Sequence, residues 1–297
     1  MTSTAQHYSK TEMDLDDTRI INAMTVDVED YFHVGAFENT ISRDDWDQLP
    51  CRVERNTNRS LELFERYNIK ATFFVLGWVC ERYPALIRKI HELGHEVASH
   101  SIDHKRVSNL SRAEFVEDIT KSKKLLEDTI GVAVIGYRAP SFSIGQDNIW
   151  ALECLKEAGY LYSSSVYPIR HDHYGMPDAP RFAFNPLTRS EFLEMPVTTF
   201  EFMNMKLPCG GGGYFRLLPY PISKFAMKRV NENDEEACIF YFHPWEIDPD
   251  QPRQHNASLK SKFRHYTNLD VMEKKIERLL VDFRWGRMDD VFLRRND

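Results

Sequence analysis

The chain has 297 residues, of which 42% are hydrophobic and 28% charged, ordinary values for a soluble globular protein with room for one large α/β domain or two modest ones. Its net charge of −7 argues against a broad electrostatic hold on nucleic acid or an anionic membrane and leaves neutral glycans open. The five cysteines are odd in number and form no Cys-x-x-Cys pair, so neither a zinc ribbon nor a disulfide framework is suggested.

Residues 1–18 are polar, with Asp14, Asp16 and Asp17 and no apolar core. They read as a loose tail without a secretory signal, and the expected location is cytoplasmic. No apolar run is long enough to span a bilayer. Ile20 to Val28 is then an apolar strand ending in acids. Asn58 to Tyr67 is helical, with Leu61, Phe64 and Tyr67 on one side. Ala71 to Gly77, rich in β-branched and aromatic residues, reads as a buried strand. Pro84 opens a helix that Gly94 closes, and a short strand follows into His100. Ser111-Arg112-Ala113-Glu114 has the form of a capping box, starting a helix that buries Phe115, Ile119, Leu126 and Ile130. Strands at 132–137 and 160–165 flank a helix at 148–158.

The alternation then loosens. Residues 171–188 read as a long loop, and strands resume at 191–197 and 237–242. Between them Cys209-Gly210-Gly211-Gly212-Gly213 resembles a phosphate loop but lacks the Lys-Ser/Thr that would complete one. A flexible, substrate-facing turn is the expectation there. A final helix spans 268–283. Strand–helix alternation over most of the chain predicts an α/β protein with a parallel sheet, open or closed into a barrel.

The chemistry gathers at the carboxyl ends of the predicted strands, where α/β folds place their sites. The first strand delivers Asp27, Glu29 and Asp30. Three acids there are costly to bury without a cation or donors, so they mark a metal site or a solvated loop. Asp27 and Glu29 face the same side if the strand continues, whereas Asp30 must lie beyond its end. His100 and His104, four positions apart, can converge on one divalent ion. Later strands deliver Arg138 and His243. Singly, each has an ordinary structural explanation, a salt bridge or a satisfied core histidine. Together at successive strand ends they are hard to obtain from packing alone.

In order along residues 20–250, these segments resemble the NodB-homology polysaccharide deacetylases, carbohydrate esterase family 4. The motifs are Thr25 to Asp30, His100 to His104, Arg138-Ala139-Pro140, Leu161 to Ser165 and Phe242-His243. The wording around them is similar to a subgroup associated with exopolysaccharide and exosortase loci, whose C-terminal extension the stretch from Phe263 onwards resembles. The resemblance implies a distorted (β/α) barrel over 19–250 and a helical extension, 251–297, packed on it. It further implies metal-assisted removal of N-acetyl groups from an amino-sugar glycan or its biosynthetic intermediate. The divalent ion, zinc foremost with cobalt, nickel or manganese as alternatives, would be held by His100, His104 and one acid. Asp27 would be the general base, His243 the general acid and Arg138 the group orienting the base, with Pro140, Phe142, Tyr162 and Trp245 as substrate contacts.

Three departures from the family pattern stand out. Val28 follows Asp27 where a second aspartate is usual, so either Glu29 or Asp30 is the acidic ligand. Ser141-Phe142 follows Arg-x-Pro instead of the commoner aromatic-glycine. Tyr162 and Ser163 stand where an Asp is frequent. Two other readings remain open: an allantoinase-like hydrolase of another C–N bond, and a non-catalytic glycan-binding relative. The expected partner is an N-acetylated glycan, with no nucleic acid and no membrane span, and a homo-oligomer is left open.

Overall fold

The computed structural model describes residues 19–38, 40–170 and 175–293. The expected tail at 1–18 and the first residues of the 171–188 loop lie outside these. The strands are β1 (Ile21–Val28), β2 (Thr72–Val75), β3 (Glu96–Ser99), β4 (Gly136–Tyr137), β5 (Tyr162–Ser163), β6 (Leu193–Glu194), β7 (Thr199–Phe202), β8 (Met205–Pro208), β9 (Ile239–Phe242) and β10 (Arg284–Gly286). The principal helices are α1 (Val53–Arg66), α2 (Gly77–Arg82), α3 (Pro84–Glu92), α4 (Arg112–Ile130), α5 (Trp150–Glu157), α6 (Gly212–Leu217), α7 (Tyr220–Asn233), α8 (Leu259–Tyr266), α9 (Leu269–Asp282) and α10 (Met288–Phe292).

Strands β9-β1-β2-β3-β4-β5-β6 pair in that order, all parallel, and β10 pairs with the start of β1. The β7–β8 hairpin is separate and antiparallel. Side-chain alternation divides the sheet into two faces. Met24, Val26, Val28, Phe73, Val75 and Val97 belong to the large core shared with the helices. Ala23, Phe74, Ala98 and Tyr162 form a second cluster on the other face. Asp27 is in register with Phe74, and Phe74 with Ala98, so Asp27 shares the second cluster's face at the carboxyl end of β1.

Local signals account for most of these elements. The capping box of α4 is present, with Ser111 and Glu114 bonding reciprocally, and Gly131 closes the helix at φ 75°. Pro84 sits in the first turn of α3. Helix α1 begins five residues before its expected start, because the Asp30 carboxylate accepts from the Arg52 and Val53 amides and caps it from a distance.

The glycine stretch differs from expectation. Gly210, Gly211 and Gly212 are buried, and the Gly210 amide donates to Thr198 while its carbonyl accepts from Tyr241 at 2.8 Å. The segment therefore bridges the chain beyond β6 to β9. It is a seam in the fold, not a flexible turn. A Cβ at Gly210 would come within 2.4 Å of the Ile239 carbonyl, and one at Gly212 within 2.4 Å of Glu246. Glycine is required here by close approach. The region after 250 also does more than pack on the barrel. Through β10 it adds a strand against Ile21–Ala23, and through α10 it meets the interior cluster with Met288 and Val291.

Beneath that cluster lies a buried acid. Glu96 accepts from Thr72 Oγ1 at 2.5 Å and Tyr162 Oη at 2.9 Å. Burial, and then the Asp289 carboxylate, push its pKa up to about 8. A carboxyl raised above its ordinary 4.5 binds its proton more tightly when folded. Its stabilising contribution is therefore full below about pH 4.5, falls as pH rises towards 8, and is level beyond. Glu96→Gln can keep the Thr72 bond through its amide oxygen and donate to Tyr162. Thermal melts should show wild type losing stability relative to this variant between pH 5 and 8, by up to about 1.4 kcal/mol for each pH unit. Parallel melting curves across that window would contradict this.

Candidate active site

Asp27 and Glu29 leave β1 on the same face, as strand period requires, and both are buried. One oxygen of Glu29 lies 2.9 Å from His100 Nε2 and 3.0 Å from His104 Nε2. His100 reaches this point from the end of β3, and its Nδ1 lies 2.7 Å from the Arg138 carbonyl. Its two ring nitrogens thus both face oxygen acceptors. A cation at Nε2 satisfies that arrangement, with Nδ1–H donated to the backbone. His104 has φ 56° and Ser101 φ 71°, a left-handed conformation that non-glycine residues adopt at a cost. Asp118, from α4, holds this loop by accepting from Ser101 Oγ at 3.0 Å and the Ile102 amide at 3.1 Å.

Glu29, His100 and His104 bring three ligand atoms within 4.8 Å of one another, a donor set of two imidazoles and one carboxylate that suits a divalent metal with open positions. Burial would raise the Glu29 carboxyl, but His104, His243 and the bonds from His100 and His104 hold it well below the usual range. Asp30, the other acid considered as ligand, is directed elsewhere. Its carboxylate accepts from Cys51 Sγ at 3.1 Å, from the Arg52 and Val53 amides and from the Tyr31 amide.

Asp27 is held by Arg138, whose Nη1 donates to Oδ1 at 2.7 Å. Arg138 is completely buried. It also donates to Thr25 Oγ1 at 2.8 Å, to the Ser164 carbonyl at 3.1 Å and to Ser164 Oγ at 3.0 Å. The Ser164 loop is in turn fixed by Glu194, which accepts from the Ser165 and Val166 amides at 2.8 Å each. The remaining Asp27 oxygen lies 4.0 Å from His243 Nε2.

His243, at the end of β9, places Nδ1 2.8 Å from Glu246 Oε1. Burial disfavours its charged form, but Glu29, Glu246 and Asp27 outweigh that and raise its pKa to about 9. Glu246 is buried too. Burial would raise its pKa, yet Arg216 and His243 lower it, with Arg216 Nε donating to Oε2 at 2.6 Å. Sequence reasoning assigned no role to Glu246, Arg216, Asp118 or Glu194. Only the acid three residues after His243 offered a local signal. The others reach the site across more than 15 positions or through backbone amides.

The site opens into a cleft of about 410 Å³ whose lining includes Asp27, Glu29, His100, His104 and His243. Phe142 and Trp245 also line it. The Trp245 ring, however, is already stacked on His265 (4.1 Å, 14°) and, offset, on His243 (5.2 Å, 19°). Pro140 is buried outside the lining and starts the turn that carries Phe142. Tyr162 is not at the cleft. Its place on β5 points it into the interior cluster, and its hydroxyl is bonded to Glu96. Tyr241, unmarked by the sequence, lines the cleft beside Phe142, with ring centroids 4.8 Å apart.

The chain is similar to known proteins in sequence and in fold. The family model described as Polysaccharide deacetylase matches residues 44–163, and a second, described as Domain of unknown function (DUF3473), matches 164–293. His100, His104 and Arg138 fall in the first match and His243 in the second, while Asp27 and Glu29 precede both. A peptidoglycan-N-acetylglucosamine deacetylase from Bacillus cereus is 33% identical over 104 residues, 35% of this chain and 47% of its own length. A peptidoglycan deacetylase from Helicobacter pylori is 29% identical over 133 residues, 45% of this chain and 44% of its own. The chain thus spans less than half the length of these curated relatives. Among solved structures, a Mycobacterium smegmatis protein assigned to the polysaccharide deacetylases superposes with TM-score 0.58 at 19% identity, covering 91% of this chain and 87% of that one. Puue allantoinase gives 0.59 at 16% identity, covering 92% and 89%. At such identities the likeness establishes the fold, the (β/α) barrel expected from the motifs.

Proposed function

We propose that this chain, whose residues 44–163 match the polysaccharide deacetylase family model, is a metal-dependent hydrolase removing N-acetyl groups from an amino-sugar-containing glycan or its biosynthetic intermediate. The observation that carries this reading is the single Glu29 oxygen shared by His100 and His104, with Asp27 and His243 at the same cleft floor. Glu29, His100 and His104 would hold the cation, and Asp30 would not. When bound, a divalent cation supplies Lewis-acid activation of the amide.

The remaining roles fall to the chain's own groups. Arg138 occupies one oxygen of Asp27 and fixes the carboxylate, leaving the other facing His243 across a gap of 4.0 Å. Asp27 takes a proton from the attacking water as oxygen bonds to the acetyl carbon. His243 gives its Nε2 proton to the nitrogen as the C–N bond breaks, so acetate and a free amine leave. Glu246 accepts at Nδ1 and keeps that nitrogen protonated, presenting Nε2 as the acid. Glu29 is the largest of the charges that raise His243, so a cation held on Glu29 would weaken that upward push.

The reading is tested by acetate release from N-acetylglucosamine oligosaccharides and, in parallel, by ring-opening hydrolysis of allantoin to allantoate, before and after chelation and metal replacement. Activity on allantoin alone would favour the allantoinase-like alternative, and metal binding without any turnover the non-catalytic one. His243→Ala should lower acetate release by about 10²–10⁴-fold, the span of general acid–base catalysis, with metal content unchanged. Full activity in this variant would show that another group protonates the amine.

A further inference from the structure

Residues 251–269 contain no Asp or Glu and four cationic side chains, Arg253, Lys260, Lys262 and Arg264, in a chain whose net charge is −7. The helix in this segment, α8, has a divided surface. Ser258, Lys260, Ser261 and Arg264 line the cleft, and His265 is buried against Trp245. Leu259 and Phe263, one turn apart, lie outside that lining and are 84% and 61% exposed. Leu259 is the most exposed large apolar side chain among the described residues. The helix is also firmly seated. The buried Arg216 guanidinium donates to the carbonyls of Arg264, His265 and Thr267 at its carboxyl end, at 3.0, 3.0 and 2.6 Å.

An exposed leucine and phenylalanine at a cleft rim, on a segment that carries cations and no acid of its own, match one kind of surface. We propose that α8 docks the protein on an anionic phospholipid bilayer. Glycans are met by aromatic faces and polar groups, which leaves the exposed leucine without a use. A bilayer takes in neighbouring apolar side chains without demanding a complementary shape, while its anionic headgroups attract the flanking Lys and Arg. The negative charge of the rest of the chain opposes adsorption by other faces, so it sets the orientation instead of preventing binding. Docked this way, the cleft mouth lies at the membrane surface, where the acetylated glycan would be one carried on a lipid. That consequence, unlike the docking, rests on the deacetylase reading.

The test is co-sedimentation of the full chain with vesicles of phosphatidylcholine alone or mixed equally with phosphatidylglycerol. Binding should favour the mixed vesicles by about ten-fold and weaken with salt. Leu259→Ser with Phe263→Ser should reduce partitioning by about ten-fold. Acetate release from a soluble oligosaccharide should be unchanged, because neither residue lines the cleft. Equal binding to neutral vesicles, or undiminished binding of the double variant, would overturn the proposal. Preference for soluble polyglutamate over vesicles would overturn it in favour of an acidic protein partner. Docking that persists in a protein releasing no acetate would uphold the membrane face while refuting the deacetylase reading.

Discussion

Asp27→Asn is expected to lower acetate release by about 10²–10⁴-fold or more while the protein still binds its metal. The amide cannot take a proton from water, and Asp27 is not among the three residues grouped around the Glu29 oxygen. The same change touches stability. Arg138 is completely buried, and Asp27 is its only carboxylate partner among the described residues. Losing one member of a buried ion pair commonly costs about 3–5 kcal/mol. Here Thr25 and Ser164 continue to accept from the guanidinium, so a loss at or below the lower end is expected. Turnover must therefore be compared below the variant's melting temperature, with metal content measured on the same sample. A variant that keeps wild-type turnover, or that loses its metal along with its activity, would remove Asp27 from the role of base.

The second large effect is on the metal itself. His100→Ala combined with His104→Ala should reduce bound divalent metal to background and abolish acetate release, because Glu29 is then the one member of the Glu29–His100–His104 ligand set left. The expected control is Asp30→Ala. It should retain metal but lose about 0.5–2 kcal/mol of stability, the range for removing a helix cap, since its carboxylate serves the start of α1. Unchanged metal content in the double histidine variant, or loss of metal in Asp30→Ala, would show that the ligand set is differently composed.

Much of this protein was legible in its sequence where the deciding interactions are local. The apolar run of β2, the capping box of α4 and the proline opening α3 each act within a few residues, and each element formed where expected. The strand period alone placed Asp27 and Glu29 on one face, and the four-residue spacing of His100 and His104 allowed them to converge. The ordered motifs were specific enough to indicate the family and its barrel. The tertiary structure decided whatever depended on partners distant in sequence. Glu29 and Asp30 are one residue apart and chemically alike. One faces two histidines more than 70 positions on, and the other caps a helix. Tyr162 went to the interior because Glu96 and a cluster drawn from both ends of the chain receive it. The glycines became a seam because Ile239 and Glu246 approach their backbone too closely for a side chain. β10 joined the sheet because β1 offers an edge more than 250 residues earlier. A sequence window records how its own residues prefer to bend and which face is apolar. It does not record which surface will arrive to cover them, and burial, ion pairing and metal ligation are all settled by that arrival.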